Sequence, residues 1–152
     1  DGGGVNLSVR RMQADDLDRV APLFDGYRRF YGQASDLPRA AAFLRERSER
    51  NESVVLFAER EGEALGFTQL YPIFSSVGTD RVWLLNDLFV ADTARRTGVG
   101  EALLRAARDF GREQGALRLV LETGRDNAIA QALYRKLGWI ADTTQWFHLP
   151  LR

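Results

Sequence analysis

Two glycines and two arginines lie together between an apolar segment and an amphipathic one, in the order Arg95-Arg96-Thr97-Gly98-Val99-Gly100-Glu101. Glycine allows the backbone to approach a ligand closely, and the first amides of a helix point outwards because they have no partner within it. The helix dipole and the arginine charges favour an anion at this position. The spacing therefore predicts a turn that binds a pyrophosphate, although a Gly-x-Gly turn alone also fits a purely structural role.

Two other phosphate-binding motifs do not match this turn. No Gly-Lys-Ser/Thr follows, as a Walker loop requires, and position 103 is Leu, where a dinucleotide fingerprint needs a third glycine or an alanine. A nucleotide-binding turn of another kind remains an alternative.

A second segment with chemical potential runs from Asn127 to Trp139. Asn127 precedes a helical pattern, so it can cap that helix and also present its amide to a ligand. Tyr134 follows two helical turns later on the same face. Capping alone for Asn127, and packing alone for Tyr134, are the competing interpretations.

Together these segments resemble the GCN5-related N-acetyltransferases (GNAT). Arg95-x-x-Gly98-x-Gly100 is similar to their Arg/Gln-x-x-Gly-x-Gly/Ala motif, and residues 127–139 are similar to their Asn-x-x-Ala-x-x-Leu-Tyr-x-x-x-Gly-Phe segment. The resemblance covers about residues 7 to 149 and implies acetyl-coenzyme A (acetyl-CoA) as the bound donor. It implies that Tyr134 is the general acid that protonates the departing thiolate, a task that suits a phenol with a pKa of about 10. The donor-binding residues that it implies are Leu88, Phe89, Val90, Arg95, Arg96, Thr97, Gly98, Val99, Gly100, Glu101, Asn127, Ala130 and Tyr134.

The strand before the turn, residues 84–90, is similar to the Leu-Glu-Asp-hydrophobic-aromatic-Val strand of the diamine acetyltransferase branch. The resemblance implies that the backbone of Leu88, Phe89 and Val90 pairs with the pantetheine arm. Asn86, one of the predicted catalytic residues with Tyr134 and Asp87, stands where that branch has Glu and cannot serve as a base. Asp87 is the alternative catalytic candidate, but strand alternation places it on the opposite face from Asn86 unless a bulge intervenes. A purely structural Asp87 is equally compatible with the sequence.

An acceptor amine must lose a proton, which costs roughly 4.6 kcal/mol at pH 7 for a lysine-like amine. Two aromatic segments, residues 27–32 and 71–76, are candidates to enclose its alkyl part or to stack on its cation. Ordinary core or dimer contacts are the alternative. The predicted acceptor-binding residues are Tyr27, Phe30, Tyr31, Tyr71, Phe74 and Glu122, and Glu122 is also a candidate base.

The elements that must position these residues follow from periodicity and turn signals. They form the order β-α-α-β-β-β-α-β-α-β, which is the order of the GNAT fold, an α/β fold with a mixed sheet flanked by helices. Helices are predicted over residues 15–31, from a Ser35 or Asp36 cap to about 51, from the glycine turn to about 115, and over 128–137; strands are predicted over 7–10, 54–60, 64–70 ending at Pro72, 81–90, 117–121 in a buried central position, and 143–149.

Composition supports one domain over residues 1–152, with residues 1–6 as a flexible tail. The net charge of zero does not favour nucleic acid or an anionic membrane as a partner, and the absence of cysteine excludes an enzyme thioester and thiolate metal sites. No metal site is expected. Because no apolar run approaches 18 residues, a cytoplasmic protein is expected.

The sequence thus predicts an acetyltransferase in which a primary amine, of a small amine, amino acid or polyamine-like molecule, attacks acetyl-CoA directly. A noncatalytic acyl-CoA sensor and a peptide or protein lysine acetyltransferase are the alternatives. A homodimer is possible through an apolar C-terminal strand containing Trp146, Phe147, Leu149 and Leu151.

Overall fold

The computed structural model describes residues 7–152 and divides into two compact units, one that ends at Glu122 and one that comprises Thr123–Arg152. The predicted tail over residues 1–6 lies outside the described residues. Each unit is described by itself below.

The first unit is a five-stranded mixed sheet with helices on its faces, which confirms the predicted fold class. The strands follow the order β1-β2-β3-β4-β5, and every neighbouring pair is antiparallel except β4 and β5, which are parallel. Its elements are β1 (Ser8–Arg11), α1 (Leu17–Phe30), α2 (Leu37–Glu49), β2 (Val54–Arg60), β3 (Glu63–Ser75), β4 (Asp80–Val90), α3 (Val99–Glu113) and β5 (Leu119–Val120), with 3-10 turns at Ala14–Asp16 and Asp92–Ala94.

Helices α1 and α2 cover one face of the sheet, and α3 covers the other. On the α1 face, buried apolar side chains from both helices meet those of β2 and β3, among them Phe24, Leu44, Phe57 and Phe67. On the α3 face, Gly66 allows close packing, because a Cβ atom there would lie 2.8 Å from the Phe89 carbonyl oxygen and 3.1 Å from a Val99 methyl group. Neighbouring positions of β3 therefore meet different demands, because Gly66 packs closely against α3 and Phe67 fills the core under α1 and α2.

The junction between α1 and α2 is fixed by carboxylates. Asp36 caps α2 and accepts a hydrogen bond from the Arg39 amide at 3.2 Å, as one of the two predicted caps. The other candidate, Ser35, instead donates to the buried Asp25 of α1 at 2.7 Å, and the Asp36 amide donates to Asp25 at 2.8 Å. These donors lower the pKa of Asp25. The start of α2 is thereby tied to the middle of α1.

A charged network joins the start of α1 to the sheet. The buried Asp16 pairs with Arg10 at 2.8 Å and with Arg19 at 2.9 Å, and both arginines also pair with Glu59 of β2. The two guanidinium groups lie over the ring of Phe57, at 4.7 and 5.3 Å from its centroid. Hydrogen bonding by Arg10 lowers the pKa of Asp16 to about 2.

Two strand predictions in this unit were wrong. β3 continues through Pro72 to Ser75, because β2 pairs with β3 only as far as Leu70 and a proline is tolerated where one side of a strand has no ladder. The segment 117–121 forms only the two-residue strand β5 at the outside of the described sheet, and not a buried central strand. A short apolar run indicates burial, but it does not reveal how many neighbours a strand has.

The second unit contains one helix, α4 (Ala128–Lys136), among its described residues. The Asn127 side chain caps it by accepting from the Ala130 amide at 3.3 Å, and Gly138 follows its end with a φ of 94°. The predicted last strand, 143–149, is not formed in the described structure, where this segment has no regular secondary structure. Strand propensity depends on a partner strand and does not form a strand alone. Within residues 7–152, no helix is both long and apolar enough to span a membrane.

Candidate active site

The glycine turn connects β4 to α3 and has the geometry of an anion cradle. Arg96 and Gly98 both adopt left-handed backbone conformations, with φ of 64° and 85°. The first hydrogen bond of α3 runs from the Ala102 amide to the Gly98 carbonyl oxygen at 3.0 Å, so the amides of Val99 and Gly100 precede the helical ladder. Amides in this position point along the helix axis as donors for a negatively charged group.

The space beside the two glycines of this turn is open. A Cβ atom at Gly98 would meet no heavy atom within 4 Å, and one at Gly100 would meet only a Val90 methyl group at 3.8 Å. Packing within the chain therefore does not require glycine at either position. The φ of 85° favours glycine at Gly98, and the open space leaves room for a ligand against the backbone.

Arg95 braces the turn through its side chain. Its Nε donates to the Val90 carbonyl oxygen at 3.1 Å, and its guanidinium pairs with Asp92 at 2.8 Å. The same group lies 5.7 Å from the ring centroid of Phe89 and 6.0 Å from that of Phe30, at the end of α1. Arg95 thus links the glycine turn to the end of α1, while its predicted contact with an anion stays a prediction.

The strand β4 lacks a neighbour on one side over its last residues. β5 pairs with β4 only at Trp83 and Leu84, whereas β3 pairs with β4 as far as Val90. In the described part of the chain, the edge of residues 88–90 that faces away from β3 has no strand beside it. This unpaired edge carries the residues to which the family resemblance assigns the pantetheine arm.

A bulge in β4 decides where Asp87 points. Gln69 pairs with Asp87 and Leu70 pairs with Leu85, so Asn86 has no partner in β3. The condition set in the sequence prediction is therefore met, and Asp87 does not lie where regular alternation would place it. It lies on the α1 face of the sheet together with its pairing partner Gln69.

Asp87 is 2% exposed and accepts hydrogen bonds from three polar side chains. Gln69 Nε2 donates to Oδ2 at 2.6 Å, Asn86 Nδ2 donates to Oδ1 at 2.8 Å, and Thr68 Oγ1 donates to the Asp87 backbone carbonyl at 2.7 Å. Burial raises the pKa of Asp87 above its ordinary value, and the hydrogen bonds from Asn86 and Gln69 oppose that rise.

Two tyrosines line the same region. Tyr27 of α1 has its hydroxyl 3.4 Å from the Asn86 carbonyl oxygen, and its ring packs against Phe67 and Phe89. Burial raises the pKa of Tyr71 to about 12 and also raises that of Tyr27, with the Asp87 charge as the second cause in each case. Both phenols are therefore neutral donors at physiological pH.

The other predicted acceptor residues are only partly brought together. Tyr31 packs against Tyr27 with ring centroids 5.1 Å apart, and Phe30 is exposed beside it at the end of α1. Phe74 lies elsewhere, on the α3 face of the β3–β4 hairpin, where it stacks with Arg81 at 4.6 Å. Glu122 is exposed and follows β5.

Gln69 and Thr68 were missed from the sequence. Both are fully buried in a strand whose neighbours are apolar. Two adjacent polar residues in such a run are unusual, because buried polar groups need partners. This polar pair in an apolar run is the sequence signal that could have indicated a buried polar site in β3.

In the second unit, the predicted donor residues lie along α4. The capping bond uses the Asn127 Oδ1 atom, and Ala130 supplies the amide that it accepts from. The Tyr134 ring lies 6.1 Å from that of Trp139, centroid to centroid. Their roles toward acetyl-CoA stay predictions.

Comparison with known proteins identifies the family. Residues 19–139 match the model of the acetyltransferase (GNAT) family. The uncharacterized N-acetyltransferase YhfO of Bacillus subtilis is 50% identical over 137 residues, which are 90% of this chain and 92% of YhfO.

Solved structures agree in fold. The crystal structure of a probable acetyltransferase superposes with a TM-score of 0.90 at 40% identity and covers 95% of this chain and 98% of its own. The aminoglycoside N-acetyltransferase AAC(6')-Iy in complex with CoA has a TM-score of 0.78 at 22% identity, covers 96% of this chain and 95% of its own, and shows the same fold. The chain therefore belongs to the GNAT family and is an acetyltransferase that uses acetyl-CoA.

Proposed function

We propose that this enzyme acetylates the primary amine of a small molecule by direct attack on the donor, and that Asp87 accepts the proton of the amine. The observation that carries the proposal is the bulge at Asn86, which places one buried carboxylate among neutral donors on the α1 face of the sheet. The likeness to the diamine branch is not needed for this proposal, because Asn86 replaces the acidic residue of that branch.

The donor side is assigned to the unpaired edge of β4 and to the glycine turn. Acetyl-CoA supplies an acetyl group activated as a thioester. Backbone groups of residues 88–90 hold the pantetheine arm, and the amides of Val99 and Gly100 hold the pyrophosphate. A backbone amide at the bulge polarises the carbonyl group under attack.

The acceptor side is assigned to Asp87, Tyr27 and Tyr71. An alkylammonium group has a pKa near 10.4, so a base with a raised pKa takes its proton with a smaller loss of free energy than an ordinary carboxylate does. A buried carboxylate also attracts a cation, and the faces of the two tyrosines suit its alkyl part. Because Asp87 is 2% exposed, a slim primary amine, reached directly or through one water, fits better than a crowded one.

Tyr134 is assigned the protonation of the departing thiolate, on the strength of the family resemblance. Replacing it with Phe removes the hydroxyl and keeps the ring. We expect the Tyr134→Phe variant to bind acetyl-CoA with unchanged affinity and to turn over 10²-fold to 10⁴-fold more slowly, the usual range for a general acid. Unchanged turnover at neutral and at high pH would remove Tyr134 from this role.

The test of the function is CoA release with a panel of acceptors: cadaverine, ethanolamine, lysine, tobramycin and a lysine-containing peptide. The variant is Asp87→Asn, which keeps the shape of the side chain, and the control is Asp18→Asn, an exposed position of α1. We expect Asp87→Asn to keep the wild-type dissociation constant for acetyl-CoA and to lose about 10²-fold or more in kcat/KM. The control variant should match the wild type.

Two results would overturn the proposal. Full activity of Asp87→Asn would exclude Asp87 as the proton acceptor. Faster transfer to the peptide than to every small amine would replace the small-molecule assignment with a peptide or protein lysine.

A further inference from the structure

We infer that Gln69 is a positioning residue for the transfer reaction: its amide holds the Asp87 carboxylate in the bulge and keeps it ionised to receive the amine proton. The inference rests on the role proposed for Asp87 and deepens it. Gln69 is fully buried and its amide donates to Asp87, so the inferred role is exerted through Asp87.

The geometry makes Gln69 the persistent donor of the site. Gln69 and Asp87 are paired across β3 and β4, and the Nε2 to Oδ2 distance is 2.6 Å. The second donor, Asn86, sits 2.8 Å from the other carboxylate oxygen but is itself exposed. Water competes with an exposed donor, whereas Gln69 is fully buried. One amide on each oxygen fixes the plane of the carboxylate.

Stability alone does not explain a glutamine at this position. Its Oε1 atom is buried and has no hydrogen-bond partner among residues 7–152. A buried acceptor without a partner disfavours folding, and an apolar side chain of similar size would avoid this. The residue is therefore better explained by what its Nε2 atom does for Asp87.

Among the groups that face Asp87, the side-chain amides of Gln69 and Asn86 contribute most to stabilising its ionised form. Tyr27 of α1 and Tyr71 of β3 both lie close enough to Asp87 for its charge to raise their pKa values. Tyr31 interacts electrostatically with Tyr27, and Arg47 interacts electrostatically with Tyr71. Hydrogen bonds, and not a neighbouring cation, are the causes that favour the ionised form of Asp87.

The experiment compares the pH dependence of kcat/KM in the wild type and in Gln69→Leu, with the best acceptor of the panel. Loss of a hydrogen bond to a charged group moves the acidic limb of the profile upwards by about one to two pH units. Thr68→Val is the matched control, because it is also fully buried and donates to the backbone of Asp87 and not to its carboxylate. Its acidic limb should stay at the wild-type pH.

A second readout does not depend on activity. The carboxyl carbon of Asp87, followed by NMR in protein labelled with ¹³C-aspartate, should titrate at a higher pH in Gln69→Leu than in the wild type. If Gln69→Leu does not fold, Gln69→Met removes the same donor with an unbranched side chain of similar length.

The outcomes separate this inference from the proposed function. An unshifted limb and an unshifted titration in the Gln69 variants, with Asp87→Asn inactive, would overturn the positioning role alone. An active Asp87→Asn enzyme would overturn the role of Asp87 itself, and with it the premise of the inference.

Discussion

Two glycines at the two ends of α3 allow the donor turn to be tested by matched substitutions. Gly98 and Gly115 both have a left-handed backbone, with φ of 85° and 70°, and a Cβ atom at either would meet nothing within 4 Å. Replacement by Ala therefore introduces the same backbone strain at both, about 1 kcal/mol after the smaller entropy of the unfolded chain is counted. For a chain of this size that is a fall in Tm of about 2–4 °C.

Binding should separate the two variants. A methyl group at position 98 would fill the space over the amides of Val99 and Gly100, whereas one at 115 lies at the opposite end of the helix. Loss of one or two hydrogen bonds to a charged group corresponds to about 1.5–3 kcal/mol, or roughly 10-fold to 100-fold in the dissociation constant.

The assay is calorimetric titration with acetyl-CoA, alongside thermal unfolding of the same samples. We expect Gly98→Ala to bind acetyl-CoA 10-fold to 100-fold more weakly than the wild type, and Gly115→Ala to bind it as the wild type does. The two variants should have the same Tm. Equal affinity in both variants would refute the assignment of the turn to the pyrophosphate. A much larger fall in Tm for Gly98→Ala would instead refute the claim that packing does not require this glycine.

Three further predictions concern stability. Gly66→Ala should destabilise the protein by about 1–3 kcal/mol in urea unfolding, since its Cβ would lie 2.8 Å from the backbone oxygen of Phe89, which cannot move aside; a change under 0.5 kcal/mol would contradict this packing. The lowered pKa of Asp16 stabilises the fold above the ordinary value of 3.8, and this contribution, about 1 kcal/mol after allowance for the 43% exposure of Arg10, is lost as pH falls towards about 2. In Asp16→Asn, the urea midpoint should therefore depend less on pH between about 4 and 2 than in the wild type. An unchanged pH dependence would exclude this contribution of Asp16. Arg95→Ala should lower the unfolding free energy by about 1 kcal/mol, and an unchanged urea midpoint would show that its contacts contribute nothing.

Local patterns predicted much of the fold. Periodicity located the four helices, a capping carboxylate predicted the start of α2, and the glycine spacing predicted the turn before α3. These features depend on residues close together in the chain. Pro72 and the segment 117–121 were misread because their outcome depends on whether another strand lies alongside, which the local sequence does not encode.

The structure brings together some of the residues predicted to bind the acceptor. The types of Tyr27, Tyr71 and Asp87 marked them as candidates, yet their proximity is set by three elements distant in sequence. The face of the sheet on which Asp87 lies depends on a bulge, and the residue types alone are compatible with β4 with or without that bulge. Gln69 was missed because the polar pair that it forms with Thr68 does not reveal its cross-strand partner, and Asp87 is identified as that partner only by the strand pairing.

The unpaired Asn86 also bears on how acceptor preference can change within this fold. In a regularly pleated strand, Asn86 would face α1 and Asp87 would face the apolar layer under α3. In the role proposed for Asp87, the offset in strand pairing determines the acidity of the site as much as the residue type does. Without that offset, Asn86 would take the place of Asp87 on the α1 face although no residue had changed. Relatives with the same residues at these positions therefore need not share a substrate.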